Sequence, residues 1–188
     1  PMARRVADLE LLLAVLMPPF CAAEPRGRAP RLGLVETFFM ERVDPIQRAA
    51  LDRAVGQLRA AGAAIESVRL DVDFQLLLDL HWRIMAVEAA QYHRQPFAEH
   101  PEGYGPMISS LLKEGLQIAA VDYAAALAHQ RAFRRAAGAL VGSFDALIAP
   151  STDNTAPGVE TTGKRDFQAP WSYSGLPVVA LPSGLASH

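Results

Sequence analysis

Hydrophobic positions follow strand spacing and helix spacing in turn along the first third of the chain. Residues 31–35 form a short apolar run that predicts a buried strand, and residues 64–70 alternate in part, as a strand does. Between these two stretches, Leu51, Val55 and Leu58 recur on one helical face. The order strand, helix, strand predicts α/β architecture with parallel strand pairing.

The ends of that first long helix carry the clearest local sequence pattern. Asp44 is a favourable N-cap residue, and Pro45 suits the first helical position, where no backbone N–H is needed. Gly62 suits the C-terminal stop, because glycine adopts the left-handed conformation at little cost. These residues predict a helix that begins after Asp44 and ends before Gly62.

Further elements follow from the same patterns. An amphipathic helix is predicted over residues 3–17, followed by a loop over 18–30. The rest of the chain predicts helices over 73–94 (broken at Pro96), 108–116 and 122–141, strands over 146–149 and 177–182, and a polar loop over 151–169.

The N-terminus resembles a secretory signal peptide, with Arg4 and Arg5 before an apolar run and small residues after it. Asp8 and Glu10 argue against that reading, because they place acidic groups at the start of the apolar run. No run approaches the ~20 apolar residues of a membrane span. We therefore expect no membrane association and a cytoplasmic location.

Composition excludes several classes of protein. The 188 residues are 51% hydrophobic and 20% charged, which argues against disorder. The formal net charge of -2 does not suggest a nucleic-acid-binding protein. The single cysteine, Cys21, excludes a disulfide scaffold, and with no histidine close by in sequence it is expected to be an inert thiol.

Short sequence motifs identify no catalytic site in this chain. The chain has neither a G-x-S-x-G elbow nor an H-E-x-x-H helix. Ser110 and Lys113 match S-x-x-K, but the simpler interpretation is a pair of surface residues on a helix with an apolar face. Glu88, His93 and Glu99 could form a metal set, and a polar helix end is the preferred interpretation. We predict no catalytic residue, no metal and no cofactor in this chain.

The stretch 161–177 is unusual because it combines aromatic residues, hydroxyl groups and turn formers ahead of a predicted strand. Such loops make good pocket walls when a rigid strand holds them beside a ligand. A packed connection between core elements explains the same composition equally well.

Several stretches together resemble the amidase-signature family. Residues 1–9 are similar to its G-P-M-A-R-S-V-x-D segment without the leading glycine, and residues 31–35 and 43–45 resemble the strand and helix start that follow. Residues 146–152 resemble its D-x-L-L-x-P-T strand. Residues 169–184 resemble its late N-x-x-G-x-P-A-x-x-x-P-x-G segment, which is the most specific match. The matches occur in family order and cover essentially the whole chain.

The resemblance implies an α/β fold, the C-terminal part of the amidase-signature fold, with a mixed β-sheet covered by helices. Family members hydrolyse carboxamides without a metal, using a serine nucleophile, a second serine and a lysine. Those residues lie upstream of the segment that residues 1–9 match, so this sequence lacks the triad. We expect residues 1–188 to be a portion of a single domain, truncated at both ends, and inactive alone.

The resemblance also implies that the late segment lines the substrate pocket. Thr152, Trp171 and Ser172 are the expected pocket residues, with Thr162 and Tyr92 as further candidates. The expected partners are a small carboxamide substrate and the missing N-terminal half of the same fold, or else a second copy. The alternative function is a non-catalytic binding or subunit-assembly module with an amidase-like fold.

Overall fold

A computed structural model of the chain describes residues 2–19, 27–161 and 163–184. A short 3-10 turn spans Pro101–Gly103. The regular elements are helices α1 Val6–Leu16, α2 Phe39–Arg42, α3 Pro45–Ala60, α4 Phe74–Glu99, α5 Pro106–Gly115, α6 Ala120–Val141 and α7 Ala169–Ser174, and strands β1 Arg31–Val35, β2 Ala64–Val68 and β3 Ala146–Ile148.

The described strands form one sheet in the order β2-β1-β3. Both pairings are parallel, and Leu32 of β1 lies opposite Ile65 of β2 on one side and Ala146 of β3 on the other. Parallel strands need long crossover connections, and here helices supply them. The predicted α/β architecture with parallel pairing is confirmed.

The helix caps follow the sequence closely. Asp44 Oδ1 accepts a hydrogen bond of 2.7 Å from the backbone N–H of Ile46, and Pro45 is the first residue of α3. Gly62 follows the helix with a φ of +98°, a conformation that side-chain-bearing residues rarely adopt. The predicted helix between Asp44 and Gly62 is therefore confirmed.

Helices cover both faces of the sheet. Leu34 of β1 and Ile148 of β3 face α3, where they pack against Leu51 and Val55. Because side chains alternate along a strand, the next residue of β1, Val35, points to the opposite face. There it joins the largest apolar cluster, which includes Phe74 and Leu78 of α4, Leu140 of α6, and Phe38, Phe39, Leu70, Leu147, Phe167, Ala169 and Trp171.

Helix α4 continues through Pro96 and ends at Glu99, so the predicted break at Pro96 is wrong. A proline inside a helix removes one backbone hydrogen bond, here the bond that the Tyr92 carbonyl would accept. Pro96 lies in the last turn and is exposed, where water can satisfy that carbonyl. The break is avoided because the loss falls at a solvated helix end.

The C-terminal segment differs from the prediction in two ways. Residues 177–182 form no strand: no described strand pairs with them, and Val178, Val179 and Leu181 are 56%, 66% and 66% exposed. A strand needs a partner to satisfy its backbone groups. Just before it, α7 (Ala169–Ser174) occupies part of the stretch 161–177, and Gly175 follows the helix with a φ of +72°.

Helix α1 has no buried residue, although Leu9 and Leu13 of its predicted apolar face are partly covered. Val15 and Leu16 are 77% and 63% exposed. None of the helices in the described ranges combines the length and apolarity that crossing a bilayer requires. Cys21 lies outside the described residues.

Helix α5 approaches α4 so closely that only glycine fits at one contact. A Cβ added at Gly115 would overlap the Ala86 carbonyl and lie 2.8 Å from Ala90 Cβ. We predict that Gly115→Ala lowers the free energy of unfolding by about 1–3 kcal/mol, because backbone must move to admit the methyl group.

Gly56→Ala is the matched control, because Gly56 lies inside α3 with nothing within 4 Å of an added Cβ. That variant is expected to be more stable by about 0.5–1 kcal/mol, since alanine favours the helix. Urea unfolding of both variants measures the difference. Equal stability of the two would contradict the close helix contact.

Candidate functional site

The strand order reverses at β1, and a sheet with such a reversal is expected to form a crevice at the carboxyl ends of its strands. The connection that follows β1 contains α3 and covers one face, whereas α4 and α6, which precede β3, cover the other. In sheets of this kind, ligands bind outside the carboxyl ends of the strands where the order reverses. The segments after β1 and β3 are therefore the first place to seek a site.

The segment after β3 carries Thr152, which is half-buried. Its hydroxyl donates to the Asn154 carbonyl at 3.1 Å and accepts from the Asn154 N–H at 3.3 Å, a local turn held by a threonine side chain. The backbone N–H of Asp44 donates to the Asp153 carbonyl at 2.7 Å, and Gln47 Nε2 donates to the Asn154 carbonyl at 3.1 Å. These bonds fasten the Thr152 turn to the start of α3.

The same segment is linked to α7. Lys164 Nζ lies 3.1 Å from Asp153 Oδ2, and Gln168, which precedes α7, donates from Nε2 to the Ser151 carbonyl. These two contacts join residues 151–153 to residues 164–168, which lead into α7, and we call the two joined segments the arch. This arch brings Thr152, Trp171 and Ser172 to the same edge of the sheet.

Trp171 stacks on an aromatic residue that follows β1. Its ring lies 5.4 Å from the ring of Phe39 with an interplanar angle of 8°. Trp171 is half-buried, and Phe39 is fully buried. Offset stacking of two aromatic rings adds to the stabilisation that burial alone supplies. The stack fixes one side of α7 to the carboxyl end of β1.

The backbone at that end of β1 is strained. Phe38 has a φ of +68° and a ψ of -53°, and the Phe39 N–H donates to the Thr37 carbonyl at 2.8 Å, as in a γ-turn. A bulky residue adopts such a conformation only where its surroundings hold it. Here the Phe38 ring stacks on Phe74 at 4.5 Å, and the Arg42 guanidinium lies 4.3 Å from its centre.

The other expected pocket residues have different positions. Ser172 is exposed, and its hydroxyl has no hydrogen-bond partner in the part of the chain that the structure describes. Tyr92 is 78% exposed and lies 11 residues beyond His81 on α4, or about 16 Å along the helix axis. His81 itself contacts Tyr173 of α7, so Tyr92 is not brought to the crevice. Thr162 lies outside the described residues.

The S-x-x-K pair is also remote from the crevice. Ser110 and Lys113 are exposed on α5, which packs against the half of α4 around Ala86 and Ala90. Over residues 2–19, 27–161 and 163–184, no hydrogen bond joins a serine or threonine hydroxyl to a histidine or lysine.

The three residues considered for a metal are engaged in other contacts or lie apart. His93 Nδ1 lies 3.1 Å from the Tyr104 hydroxyl, and Glu88 Oε1 accepts from the Tyr123 hydroxyl at 3.2 Å. Glu99 accepts from Gln95 at 2.8 Å. The described residues contain no group of three histidine, cysteine or acidic side chains placed to hold a metal.

A buried polar cluster beside α7 was not predicted from the sequence. Tyr173 is fully buried, and its hydroxyl lies 3.0 Å from Nδ1 of His129 on α6. Arg134 Nε, also on α6, donates to the Tyr173 carbonyl at 3.1 Å. Burial raises the pKa of Tyr173 to about 12, against a weaker opposing effect of the Arg134 charge. Forty-four positions separate Tyr173 from His129, so no local pattern could join them.

His81 of α4 borders this cluster. Its ring meets the Tyr173 ring edge-on at 5.8 Å. Burial lowers the pKa of His81, the Arg165 charge lowers it further, and the Glu88 carboxylate opposes both. Arg165 is held 4.1 Å above the Trp82 ring, so its charge stays close to α4.

An open groove of about 390 Å³ runs from the loop after β2 along α6. Its floor is apolar, and Arg69, Asp71 and His129 supply polar groups at its sides. The remaining lining residues are Leu70, Val72, Ala132, Phe133, Ala136 and Leu140. The groove therefore reaches the buried cluster through His129.

Comparisons with known proteins agree on one family. The Amidase family model matches residues 1–188. An amidase of Pseudomonas putida is 29% identical over 99% of this chain and 46% of its own length. A 1-carboxybiuret hydrolase subunit of Pseudomonas sp. strain ADP is 27% identical over 81% of this chain and 35% of its own.

A solved amidase structure has the same fold over this region. It superposes with a TM-score of 0.82 at 27% identity, covering 92% of this chain and 42% of the solved one. The chain thus spans less than half the length of the relatives that it matches. The expected amidase-signature fold is confirmed for the region that they share.

The charge of Arg165 should control the titration of His81. In Arg165→Gln we predict that the pKa of His81 rises, because a nearby positive charge that disfavours the imidazolium ion has been removed. Glu88→Gln should lower the pKa of His81 below its value in the unmodified protein, because the carboxylate that favours the imidazolium ion has been removed. NMR titration of the His81 ring carbons measures both changes.

Arg53→Gln is the control for loss of one positive charge, since Arg53 lies on α3 at the opposite face of the sheet. The pKa of His81 should not respond to it. A His81 titration that is the same in Arg165→Gln as in the unmodified protein would contradict the arrangement.

Proposed function

Because the chain belongs to the amidase family, we propose that it is part of a longer amide hydrolase and supplies scaffold and substrate-pocket walls. The observation that carries the proposal is the position of α7. The segment with the most specific family resemblance lies at the carboxyl edge of the sheet, beside the turn that carries Thr152. Loops at this edge are where α/β sheets bind ligands.

Amide hydrolysis needs an activated nucleophile, a proton carrier and donors for the oxyanion. We propose that the rest of the protein provides these groups, as the family resemblance implies for its two serines and lysine. The contribution of this chain is binding. The Ser172 and Thr152 hydroxyls can hydrogen-bond an amide, and the exposed edge of Trp171 can contact an apolar substituent.

The proposed partner is the remainder of the same fold. The apolar side chains of α1 and of the extended segment 177–182 are exposed, and an apolar surface of this kind usually marks a contact. A fold more than twice as long, as in the relatives, would supply residues to cover both surfaces. Residues 1–188 are on this proposal one portion of a single domain.

The proposed substrate is a small-molecule carboxamide. The aromatic and hydroxyl groups proposed for the pocket suit such a substrate, and neither a metal nor a cofactor is part of the proposed chemistry. We also propose a cytoplasmic location. Residues 1–188 contain one cysteine and so form no disulfide among themselves, and they do not need an oxidising compartment for one.

Two serine variants test the proposal in the intact protein. Ser172→Ala should raise KM for a primary carboxamide by roughly 2- to 10-fold, the effect of losing one hydrogen bond to the substrate. Ser110→Ala should leave kcat and KM unchanged, because Ser110 lies on the surface of α5. Ammonia release measures both. The isolated chain of residues 1–188 is expected to release none.

The opposite pattern would contradict the proposal. Activity that Ser110→Ala abolishes and Ser172→Ala leaves intact would identify the S-x-x-K pair as the catalytic group. An intact protein that hydrolyses no carboxamide would instead favour the non-catalytic binding or assembly module.

A further inference from the structure

Helix α7 is too short to keep its position alone. It has six residues, and isolated helices of fewer than about 12–15 residues are marginal in water. Its place beside the crevice therefore depends on contacts with the rest of the protein. Successive helical residues turn by about 100°, so Trp171 and Tyr173 point to nearly opposite sides. Trp171 faces Phe39 at the carboxyl end of β1, and Tyr173 faces α6.

The Tyr173 hydroxyl has one proton and two neighbours. It donates to the Ala126 carbonyl at 3.2 Å, and His129 Nδ1 lies 3.0 Å away. With the hydroxyl proton directed at Ala126, its oxygen can accept the Nδ1 proton of His129. The tautomer assignment follows from this count of donors and acceptors. Both neighbours belong to α6, so one hydroxyl ties α7 to that helix twice.

The backbone of α7 has a separate tie to α6. Arg134 Nε donates to the Tyr173 carbonyl at 3.1 Å, which is one of the last carbonyls of a helix and lacks a partner within it. Gly175 follows with a φ of +72°, and the Arg134 guanidinium lies 3.6–3.8 Å from the place where a Cβ would be. Arg134 therefore packs against the turn that ends α7.

We propose that Tyr173 is a positioning residue, held by His129 and Arg134, that fixes α7 so that Trp171 and Ser172 form a rigid wall of the substrate pocket. The inference rests on the proposed function. Tyr173 does not touch the substrate: its side chain is fully buried on the far side of α7. It acts through its neighbours in sequence, and a small displacement of a pocket wall reduces the fraction of substrate bound in reactive geometry.

The Tyr173 hydroxyl can be removed without emptying the core. The Tyr173 ring packs in an apolar cluster with Leu77, Leu80, Ile84, Ala126, Phe133 and Ala137. Tyr173→Phe keeps that ring in place and deletes only the ties to Ala126 and His129. Arg134→Gln is a second variant with little risk to folding, because Arg134 is exposed, and it removes the tie to the α7 backbone and the packing against Gly175.

Kinetics of the intact protein provide the first test. In Tyr173→Phe, kcat/KM for an aryl carboxamide should fall by roughly 3- to 10-fold, as expected for loss of a buried hydrogen bond that orders the site. Both amides would contact Ser172, whereas only the aryl amide also reaches Trp171, so the fall should be smaller for acetamide. Arg134→Gln should change both values in the same direction. An equal loss for both substrates would overturn the inference, since a general loss of folded enzyme has that effect.

Tyr123→Phe is the matched control. Tyr123 is also a tyrosine that contacts one of the packed helices: it lies on α6, and its hydroxyl donates to Glu88 of α4 at 3.2 Å. This bond does not involve α7. Its removal should leave kcat/KM for both amides within about twofold, the size of a surface hydrogen bond's effect. A fall in Tyr123→Phe equal to that in Tyr173→Phe would overturn the inference.

A second readout does not depend on hydrolysis. The intact protein is labelled with 5-fluorotryptophan, and the Trp171 resonance is assigned by its loss in Trp171→Phe. This fluorine resonance should shift or broaden in Tyr173→Phe and in Arg134→Gln, and it should stay unchanged in Tyr123→Phe. A Trp171 resonance that does not respond to Tyr173→Phe would show that Tyr173 does not fix the position of α7, whatever the kinetics.

The two readouts separate the inference from the function on which it rests. If the unmodified protein hydrolyses no amide but its Trp171 resonance responds to Tyr173→Phe, the proposed function is refuted. The inference that Tyr173 fixes the position of α7 is then retained. Unchanged kinetics together with a shifted resonance would overturn the positioning role.

Discussion

The parallel pairing of β1 with both of its neighbours is the constraint on which the site depends. Parallel strands cannot be joined by tight turns, so each connection must cross a face of the sheet. The connection from β1 to β2 covers one face with α3, and the connection from β2 to β3 covers the other with α4 and α6. The crevice between the carboxyl ends of β1 and β3 is a direct consequence.

Aromatic packing then stabilises the edge of that crevice. The strained turn at Phe38 places two consecutive rings, Phe38 and Phe39, beneath the arch that follows β3. Phe39 stacks with Trp171, and on its other side α7 is tied to α6 through Tyr173. The short helix is thereby held from two directions, which leaves it little freedom to move.

Local chemistry made the early part of the fold predictable, and long-range contacts limited the rest. Asp44 and Gly62 define α3 because caps act within a few residues. The strand expected at 177–182 has the right composition but no described partner, and pairing cannot be read from one segment. The sequence directed attention to Trp171 and Ser172 through the late segment, whereas Tyr173 and His129 meet only after folding. Tyr92 belongs to the same helix as His81 but lies about 16 Å from it along the helix axis, at about 1.5 Å per residue. That distance also exists only once the helix has formed, so the sequence alone could not separate Tyr92 from the residues near α7.

Backbone hydrogen exchange at residues 178–181 of the intact protein tests the central claim most directly, because these residues are apolar and exposed here and belong to no helix or strand. If residues 1–188 are one portion of a larger amide hydrolase fold, the rest of that fold covers this segment and pairs with it. The account predicts amide exchange well below the rate of an unstructured peptide. Exchange at the unstructured rate would contradict it, since nothing would then complete the sheet at this position.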